Sequence, residues 1–159
     1  GLLDFGIVLH PADLEPYESI PLRYENTWGL IMRKDDPLAL KEALAYEDIA
    51  PLPIICARHE SIPTLRGKRL STPGWVAEKL SSLNIVGTLN LSYNTLPLVE
   101  RNVGYLLAIY ARSILEQHPT LCFRPLTPLI RSGHSLIWKR GQVFPPAAAL
   151  FLELMRKNS

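Results

Sequence analysis

Two short polar segments are the parts of the sequence that could carry chemistry. The first holds Arg58, His59 and Ser61 and follows an apolar run that ends at residue 57. The second holds Asn94 and Thr95 and stands just before a proline at position 97. No Ser-His-Asp arrangement, no His-Glu-x-x-His motif and no glycine-rich dinucleotide fingerprint can be read in the sequence. The sequence therefore indicates ligand binding or a structural role for these segments more than catalysis.

The first polar segment has three interpretations. A catalytic role for His59 and Glu60 is the least favoured, because no catalytic constellation is readable around them. The segment could be an ordinary surface loop, or it could contact a ligand, because open parallel sheets bind ligands beyond the carboxyl ends of their strands. If the segment contacts a ligand, Arg58 can hold a carboxylate in a bidentate fork. Arg58, His59 and Ser61 are accordingly candidate ligand contacts.

The second polar segment lies between a predicted strand and a predicted helix start. Free backbone N–H groups and the positive end of the helix dipole favour an anion at such a place. Simple helix capping by Asn94 or Thr95 explains the same pattern, and both roles can hold together. Because the carboxyl ends of parallel strands meet at one sheet edge, we expect Arg58, His59 or Ser61 to face Asn94 or Thr95 around a small anionic or polar ligand.

Apolar runs and helix-start signals alternate along the chain, and they place both segments on an α/β fold. Strands are predicted at residues 3–9, 53–57, 88–92 and 134–140, and residues 20–33 fit one long strand or two joined end to end. Helices are predicted to begin at Asp36-Pro37, Thr72-Pro73, Thr95 and Pro145-Pro146. Residues 105–110 fit either a strand or a buried helix. Strands that alternate with helices indicate a mostly parallel sheet.

The composition is that of an ordinary soluble globular protein. Of the 159 residues, 47% are hydrophobic and 20% are charged, and the net charge is +2. This charge is too small to imply binding to nucleic acid or to a membrane surface. Cys56 and Cys122 are isolated, which predicts free thiols in a reducing compartment such as the cytoplasm. No apolar run is long enough to span a membrane.

Several short stretches of the sequence together resemble one known family. In chain order they are Gly1-Leu2-Leu3-Asp4-Phe5-Gly6-Ile7, Ile20-Pro21-Leu22 with Glu25, Asp36-Pro37-Leu38-Ala39, Glu47-Asp48-Ile49, Leu98-Val99-Glu100-Arg101-Asn102-Val103-Gly104 and Trp138-Lys139-Arg140. Their order and spacing resemble those of the effector-binding domain of LysR-type transcriptional regulators. Asn102 departs from the glycine that is usual in that family. Asparagine is the best non-glycine residue for a left-handed backbone, so the departure is compatible with the family geometry.

The resemblance implies a two-lobed periplasmic-binding-protein-like fold (type 2), in which each lobe is a Rossmann-like, mostly parallel sheet flanked by helices. The first lobe would consist of residues 1–26 and 129–159 and would be incomplete, and the second lobe would consist of residues 27–128. The winged helix-turn-helix domain, the linker helix and the first repeats of the first lobe would lie upstream of Gly1 and be absent from this chain. His10 and Pro11 would border the cleft between the lobes, so they join the candidate ligand contacts.

In function, the resemblance implies a small-molecule sensor with no catalytic activity, no cofactor and no metal. The chain would form a homodimer within a larger homotetramer, and it would act on DNA only through the domain that it lacks. An extracytoplasmic solute-binding protein is the alternative, because it shares the two-lobe architecture. A basic helix-turn-helix upstream would indicate the regulator, whereas a secretory leader would indicate the binding protein.

Overall fold

The computed structural model describes residues 3–10, 14–57, 79 and 82–157. The chain divides into two compact units. Unit 1 comprises Gly1–Glu25 and Ser132–Ser159, and unit 2 comprises Asn26–Arg131.

The described elements mix strands with mostly short helices, so the expected α/β class is confirmed. The strands are β1 (Gly6–Leu9), β2 (Tyr17–Arg33), β3 (Ile54–Ala57), β4 (Ile85–Leu89), β5 (Tyr105–Ile109), β6 (Leu121–Pro125) and β7 (Arg131–Lys139). The helices are α1 (Tyr46–Ile49), α2 (Leu96–Glu100), α3 (Arg112–Leu115) and α4 (Pro146–Lys157). Tight 3-10 turns cover Pro37–Leu40 and Ser92–Thr95.

Unit 1 is built on antiparallel strands and the C-terminal helix. β1 pairs with β7, with Gly6 opposite Ile137 and Leu9 opposite His134. β2, whose first residues belong to unit 1, is the other neighbour of β7. The core of the unit is apolar and rich in aromatic side chains, namely Ile20, Trp138 and Leu152 with Phe5, Phe144 and Met155 packed against them.

Helix α4 follows directly from its sequence. Pro146 suits the first turn, because a residue there needs no N–H group. Ala148 and Leu152 are buried and stand one turn apart, so they form the apolar stripe that faces the core. The stripe packs on the core of unit 1, where Leu152 clusters with Trp138 and Phe5.

Unit 2 contains a sheet in which parallel and antiparallel pairs are mixed, so the expectation of a mostly parallel sheet needs correction. β3 lies between β4 and β5 and is parallel to both. β2 is antiparallel to β5 and to β6. Ile54, Ile55 and Cys56 of β3 are all buried, as expected for an interior strand of a parallel sheet. The stretch predicted at residues 20–33 is one continuous strand, β2.

Close packing in unit 2 depends on Gly104, which immediately precedes β5. A Cβ atom at Gly104 would lie 2.7 Å from the carbonyl oxygen of Pro53, closer than real Cβ atoms approach. The nearby core is formed by apolar side chains from the sheet and from α2, namely Ile31, Leu96, Val99, Leu106, Ala108 and Leu121. Asn102 has a φ of 59°, so this position is left-handed, as expected if asparagine stands where glycine is usual in the resembled family.

Three local predictions need correction or completion. The strand predicted at residues 88–92 is β4 at Ile85–Leu89, because Gly87 pairs with Ile55 inside the sheet and does not form a turn. The stretch at residues 105–110 contains a strand, Tyr105–Ile109, and not a helix. The Asp36-Pro37 signal does start a helical turn, since the Asp36 side chain accepts a hydrogen bond from the Leu38 N–H, but the turn is a single 3-10 turn. The helix predicted at Thr72-Pro73 lies outside the described residues.

Candidate ligand-binding site

A depression of about 300 Å³ lies at the carboxyl end of β4 in unit 2. It is lined by Thr88 and Leu89 at the end of the strand, by Asn90 and Leu91 just after it, and by Asn94 in the following 3-10 turn. A depression at this place agrees with the rule that α/β sheets bind ligands beyond the carboxyl ends of their strands. It is therefore the first candidate for the site of a small ligand.

The pairing of β3 with β4 brings the carboxyl ends of these two strands together. Ala57, the last residue of β3, is in register with Leu89, the last residue of β4. The predicted ligand contacts Arg58, His59 and Ser61 follow Ala57 in the sequence but lie outside the described residues. The parallel pairing on which their expected approach to Asn94 rests is present.

The polar side chains at the depression are available to a ligand. The Thr88 hydroxyl and the amides of Asn90 and Asn94 make no hydrogen bond with any residue that the structure describes. Asn90 and Asn94 are exposed, and 66% of Leu91 is exposed beside them. These groups offer neutral donors and acceptors next to an apolar surface, a combination typical of small-molecule sites. No cationic side chain lines the described part of the depression.

Thr95, also predicted as a ligand contact, is less accessible than Asn94. Its side chain is fully buried and does not line the depression. The N–H groups expected to be free at this helix start are partly used within the turn, because Asn94 donates to the Leu91 carbonyl and Leu96 donates to the Tyr93 carbonyl. The physical reason is that a 3-10 turn precedes α2 and satisfies backbone donors that an isolated helix start leaves open.

The turn that carries Asn94 is held to the sheet by Tyr93. The Tyr93 hydroxyl donates a hydrogen bond to the Ile109 carbonyl at 3.1 Å, at the carboxyl end of β5. Tyr93 also packs against the core of unit 2. Its role is therefore to position the turn, and the sequence alone did not reveal it.

His10 lies in unit 1, directly after β1. Its Nε2 is 2.8 Å from the Oγ of Ser135, and its backbone N–H donates to the Gly133 carbonyl at 2.9 Å. Ser135 is buried and His10 is half-buried. These contacts give His10 a structural role in joining β1 to β7. Pro11, predicted with it as a ligand contact, lies outside the described residues.

The depression contains residues that the sequence analysis did not single out. The strand predicted at residues 88–92 includes Thr88, Leu89, Asn90 and Leu91, whereas the strand ends at Leu89. The available signal was the polar residue Asn90 directly after an apolar run, which places it at a strand's carboxyl end. The predicted strand extended past Asn90, so Asn90 was not identified as a residue at the end of a strand.

The described residues offer no cluster of metal-ligating side chains and no activated thiol. No group of three or more His, Cys, Asp or Glu side chains there could hold a metal ion. Cys56 and Cys122 are both free thiols, as predicted. Burial raises the pKa of the Cys122 thiol, which lowers its reactivity. In the same residues, no helix has the length and apolarity needed to cross a membrane.

Comparison with known proteins gives a consistent result. The LysR substrate binding domain family matches residues 1–159, the whole chain. The comparison with curated protein sequences gives no match.

Three solved structures show the similarity of fold. HinK, a LysR family transcriptional regulator from Pseudomonas aeruginosa, has a TM-score of 0.68 at 16% identity, covering 98% of this chain and 52% of its own. The effector binding domain of QuiR in complex with shikimate has a TM-score of 0.72 at 15% identity, covering 98% and 71%. Full-length CbnR complexed with target DNA has a TM-score of 0.70 at 15% identity, covering 99% and 53%.

The chain thus spans about half the length of HinK and of CbnR. At these identities the solved structures establish the fold, a partial periplasmic-binding-protein-like domain. The family match over the whole chain establishes membership. This chain belongs to the LysR substrate binding domain family.

Proposed function

We propose that this chain is the effector-sensing and oligomerisation part of a LysR-type transcriptional regulator. The observation that carries the proposal is the depression at the end of β4, where Thr88, Asn90 and Asn94 present polar groups unpaired with any described residue. The family match and the position of these polar groups both support ligand sensing. The groups lie at the edge of the sheet where α/β folds usually bind ligands. The alternative of an extracytoplasmic solute-binding protein is not favoured by the family match.

The proposed ligand is a small polar metabolite. Asn90 and Asn94 would hydrogen-bond to it, and Arg58, with His59 and Ser61, would add a cation that favours an anionic ligand. His10 and Pro11 of the first lobe remain predicted ligand contacts. The division into a first lobe of residues 1–26 with 129–159 and a second lobe of residues 27–128 also remains a prediction. Thr95 remains a proposed ligand contact beside Asn94, although its side chain is buried.

The proposed mechanism is a shift of conformational population. A ligand that binds one arrangement of the assembled regulator more tightly favours that arrangement, and the coupled change alters DNA binding by a separate domain. QuiR bound to shikimate and CbnR bound to target DNA are solved examples of the two halves of this scheme. We propose that the assembly is a homodimer or homotetramer in the cytoplasm and that the chain has no catalytic activity and no cofactor.

The test is a screen of small polar metabolites by thermal shift, followed by calorimetry on the best ligand. Asn90→Ala and Asn94→Ala should each weaken binding about fivefold to tenfold, the effect of losing a neutral hydrogen bond of about 1 kcal/mol. Asn84→Ala is the matched control, because Asn84 is an exposed asparagine just before β4, at the opposite end of the strand. Equal affinities for all three variants and the original chain would exclude this depression as the effector site.

A further inference from the structure

A second and larger depression in unit 2 shares no residue with the one at β4. It has a volume of about 460 Å³, within the range of small-molecule pockets, and we call it the β6 groove. It runs beside β6 and α3 and is lined by residues that include Lys34, Tyr110, Arg112, Leu115, Cys122 and Phe123. The proposed function leaves this groove without a role.

The β6 groove carries positive charge that is not neutralised locally. The exposed Lys34 ammonium makes no hydrogen bond or ion pair with any residue in the described ranges. Arg124 also lines the groove, and its guanidinium donates only to the carbonyl oxygens of Ala39 and Phe123, which carry no charge. Arg112 is the third cation of the groove, and its charge is paired.

The carboxylates near the groove are already committed to other partners. Glu116, the acidic residue in its lining, forms an ion pair with Arg112 at 2.8 Å. Asp35 pairs with Arg33, and Asp36 accepts hydrogen bonds from the Tyr105 hydroxyl and the Leu38 N–H. The donors to Asp36 are uncharged, so its carboxylate keeps its charge. Lys34 and Arg124 are two unpaired cations against this one carboxylate, which leaves one net positive charge to attract an anion.

An aromatic surface adjoins this charge. The rings of Tyr110 and Phe123 pack with centroids 5.0 Å apart and an interplanar angle of 48°. Tyr110 remains 40% exposed, and Leu115 and Phe123 are half-buried. A flat apolar group can lie against such a surface and gain both burial and ring contacts.

We propose that the β6 groove is a second ligand site, which binds a small aromatic carboxylate. The aromatic ring packs on Tyr110, Phe123 and Leu115, and the carboxylate pairs with Lys34. This class of ligand satisfies the uncompensated charge and the exposed aromatic surface with one molecule, which neither a purely apolar nor a purely inorganic ligand does. Occupancy of this groove would add a second input to the sensor.

The test uses phenylacetate as the probe, with amide proton–nitrogen correlation spectra of the isotope-labelled chain. Phenylacetate should produce saturable shifts at the amides of Lys34, Tyr110 and Cys122, with a dissociation constant on the order of 1 mM. Phenylacetamide, which has the ring without the charge, and acetate, which has the charge without the ring, should each bind at least about tenfold more weakly.

Variants locate the interaction. Lys34→Met should weaken phenylacetate binding about tenfold, whereas Lys34→Arg should keep it within about threefold. Lys157→Met is the control, because Lys157 is an exposed lysine of unit 1 that pairs with Glu153, and it should leave binding unchanged.

Several results would overturn the proposal. They are no saturable shift at the groove amides at about 10 mM phenylacetate, equal binding of phenylacetamide, or unchanged binding by Lys34→Met. Shifts confined to Asn90 and Leu91 would also overturn it, while supporting the site at β4. Failure of the β4 site to bind any metabolite leaves the groove result unaffected, so the two hypotheses are tested separately.

Discussion

The hydroxyl of Tyr105 donates a hydrogen bond to Oδ2 of Asp36, a residue 69 positions earlier in the chain. This bond joins the start of β5 to the cap of the 3-10 turn at Pro37–Leu40. Burial, followed by the hydrogen bond to the Asp36 carboxylate, raises the pKa of Tyr105 to about 12. One side chain thus connects the sheet of unit 2 with the loop that follows β2.

Tyr105→Phe should lower the free energy of unfolding by about 1 kcal/mol at neutral pH, because it removes this hydrogen bond. In the original chain the folded state holds the tyrosine proton more tightly than the unfolded state. The stabilisation is complete below the ordinary pKa of 10.0 and is lost as the pH rises through the folded pKa of about 12. Measured by urea unfolding, the free energy of unfolding should therefore fall less steeply with rising alkaline pH for Tyr105→Phe than for the original chain. Tyr17→Phe, at an exposed tyrosine of unit 1, is the control, and identical alkaline profiles for the original chain and Tyr105→Phe would contradict the prediction.

Gly104→Ala should destabilise unit 2 by about 2 kcal/mol, because the added methyl group would press on the Pro53 carbonyl oxygen and force β3 and β5 apart. Gly87→Ala is the matched control in the same sheet. A Cβ at Gly87 would meet Ile55 Cγ2 at 3.7 Å, an ordinary contact, so its free energy of unfolding should change by less than about 1 kcal/mol. Urea denaturation measures the free energy of unfolding of both variants. Equal decreases would show that the close approach at Gly104 is relieved by small backbone shifts.

Much of the fold could be predicted because local chemistry and tertiary packing agree in most elements. The closing helix has an apolar stripe that packs in the same core cluster as Phe5, and Asn102 occupies a left-handed position. The prediction was wrong where a residue's local preference is overridden. Gly87 has the preference of a turn residue, but it pairs with Ile55 inside the sheet, and this moved the predicted end of β4 past Asn90.

The candidate site was only partly predictable for the same reason. Asn94 was identified, because it follows a strand and precedes a proline, and it does line the depression. Thr95 shares that pattern but is fully buried, and only tertiary packing decides which of two adjacent polar residues faces outward. The hydrogen bond from Tyr93 to Ile109 joins residues 16 positions apart and leaves no local pattern.

Asn102→Ala should cost about 1 kcal/mol of stability, because alanine is strained at a φ of 59°. Asn102→Gly should change stability by no more than about 0.5 kcal/mol, since glycine adopts this conformation freely. Gly141, with a φ of 67° and open space around its Cα, gives a parallel test in unit 1. Gly141→Ala should be more destabilising than Gly141→Asn. If alanine is as well tolerated as asparagine at both positions in thermal unfolding, backbone strain does not control these turns.

Asp48→Asn should destabilise the start of α1. It should also make the free energy of unfolding depend less on pH in the acid range. The Asp48 carboxylate accepts hydrogen bonds from the Lys41 ammonium and from the Ala45 backbone N–H, the latter at 3.0 Å. These two bonds, with that to Lys41 the larger cause, lower the pKa of Asp48 below its ordinary value of 3.8. The unfolded state therefore binds the proton more tightly. The stabilisation is complete above the ordinary pKa and is lost as the pH falls through the lower folded pKa.

Asparagine keeps an oxygen for the Ala45 N–H but loses the charge that Lys41 pairs with, so Asp48→Asn should cost about 0.5 to 1 kcal/mol at neutral pH. Its urea unfolding free energy should then fall less steeply on acidification than that of the original chain. Glu47→Gln is the control, because Glu47 lies in the same helix, is exposed and has no partner in the described part of the chain. A double-mutant cycle with Lys41→Met measures the coupling between the two side chains. If the cycle gives no coupling and the acid profiles of Asp48→Asn and the original chain run parallel, the contact does not stabilise the folded state.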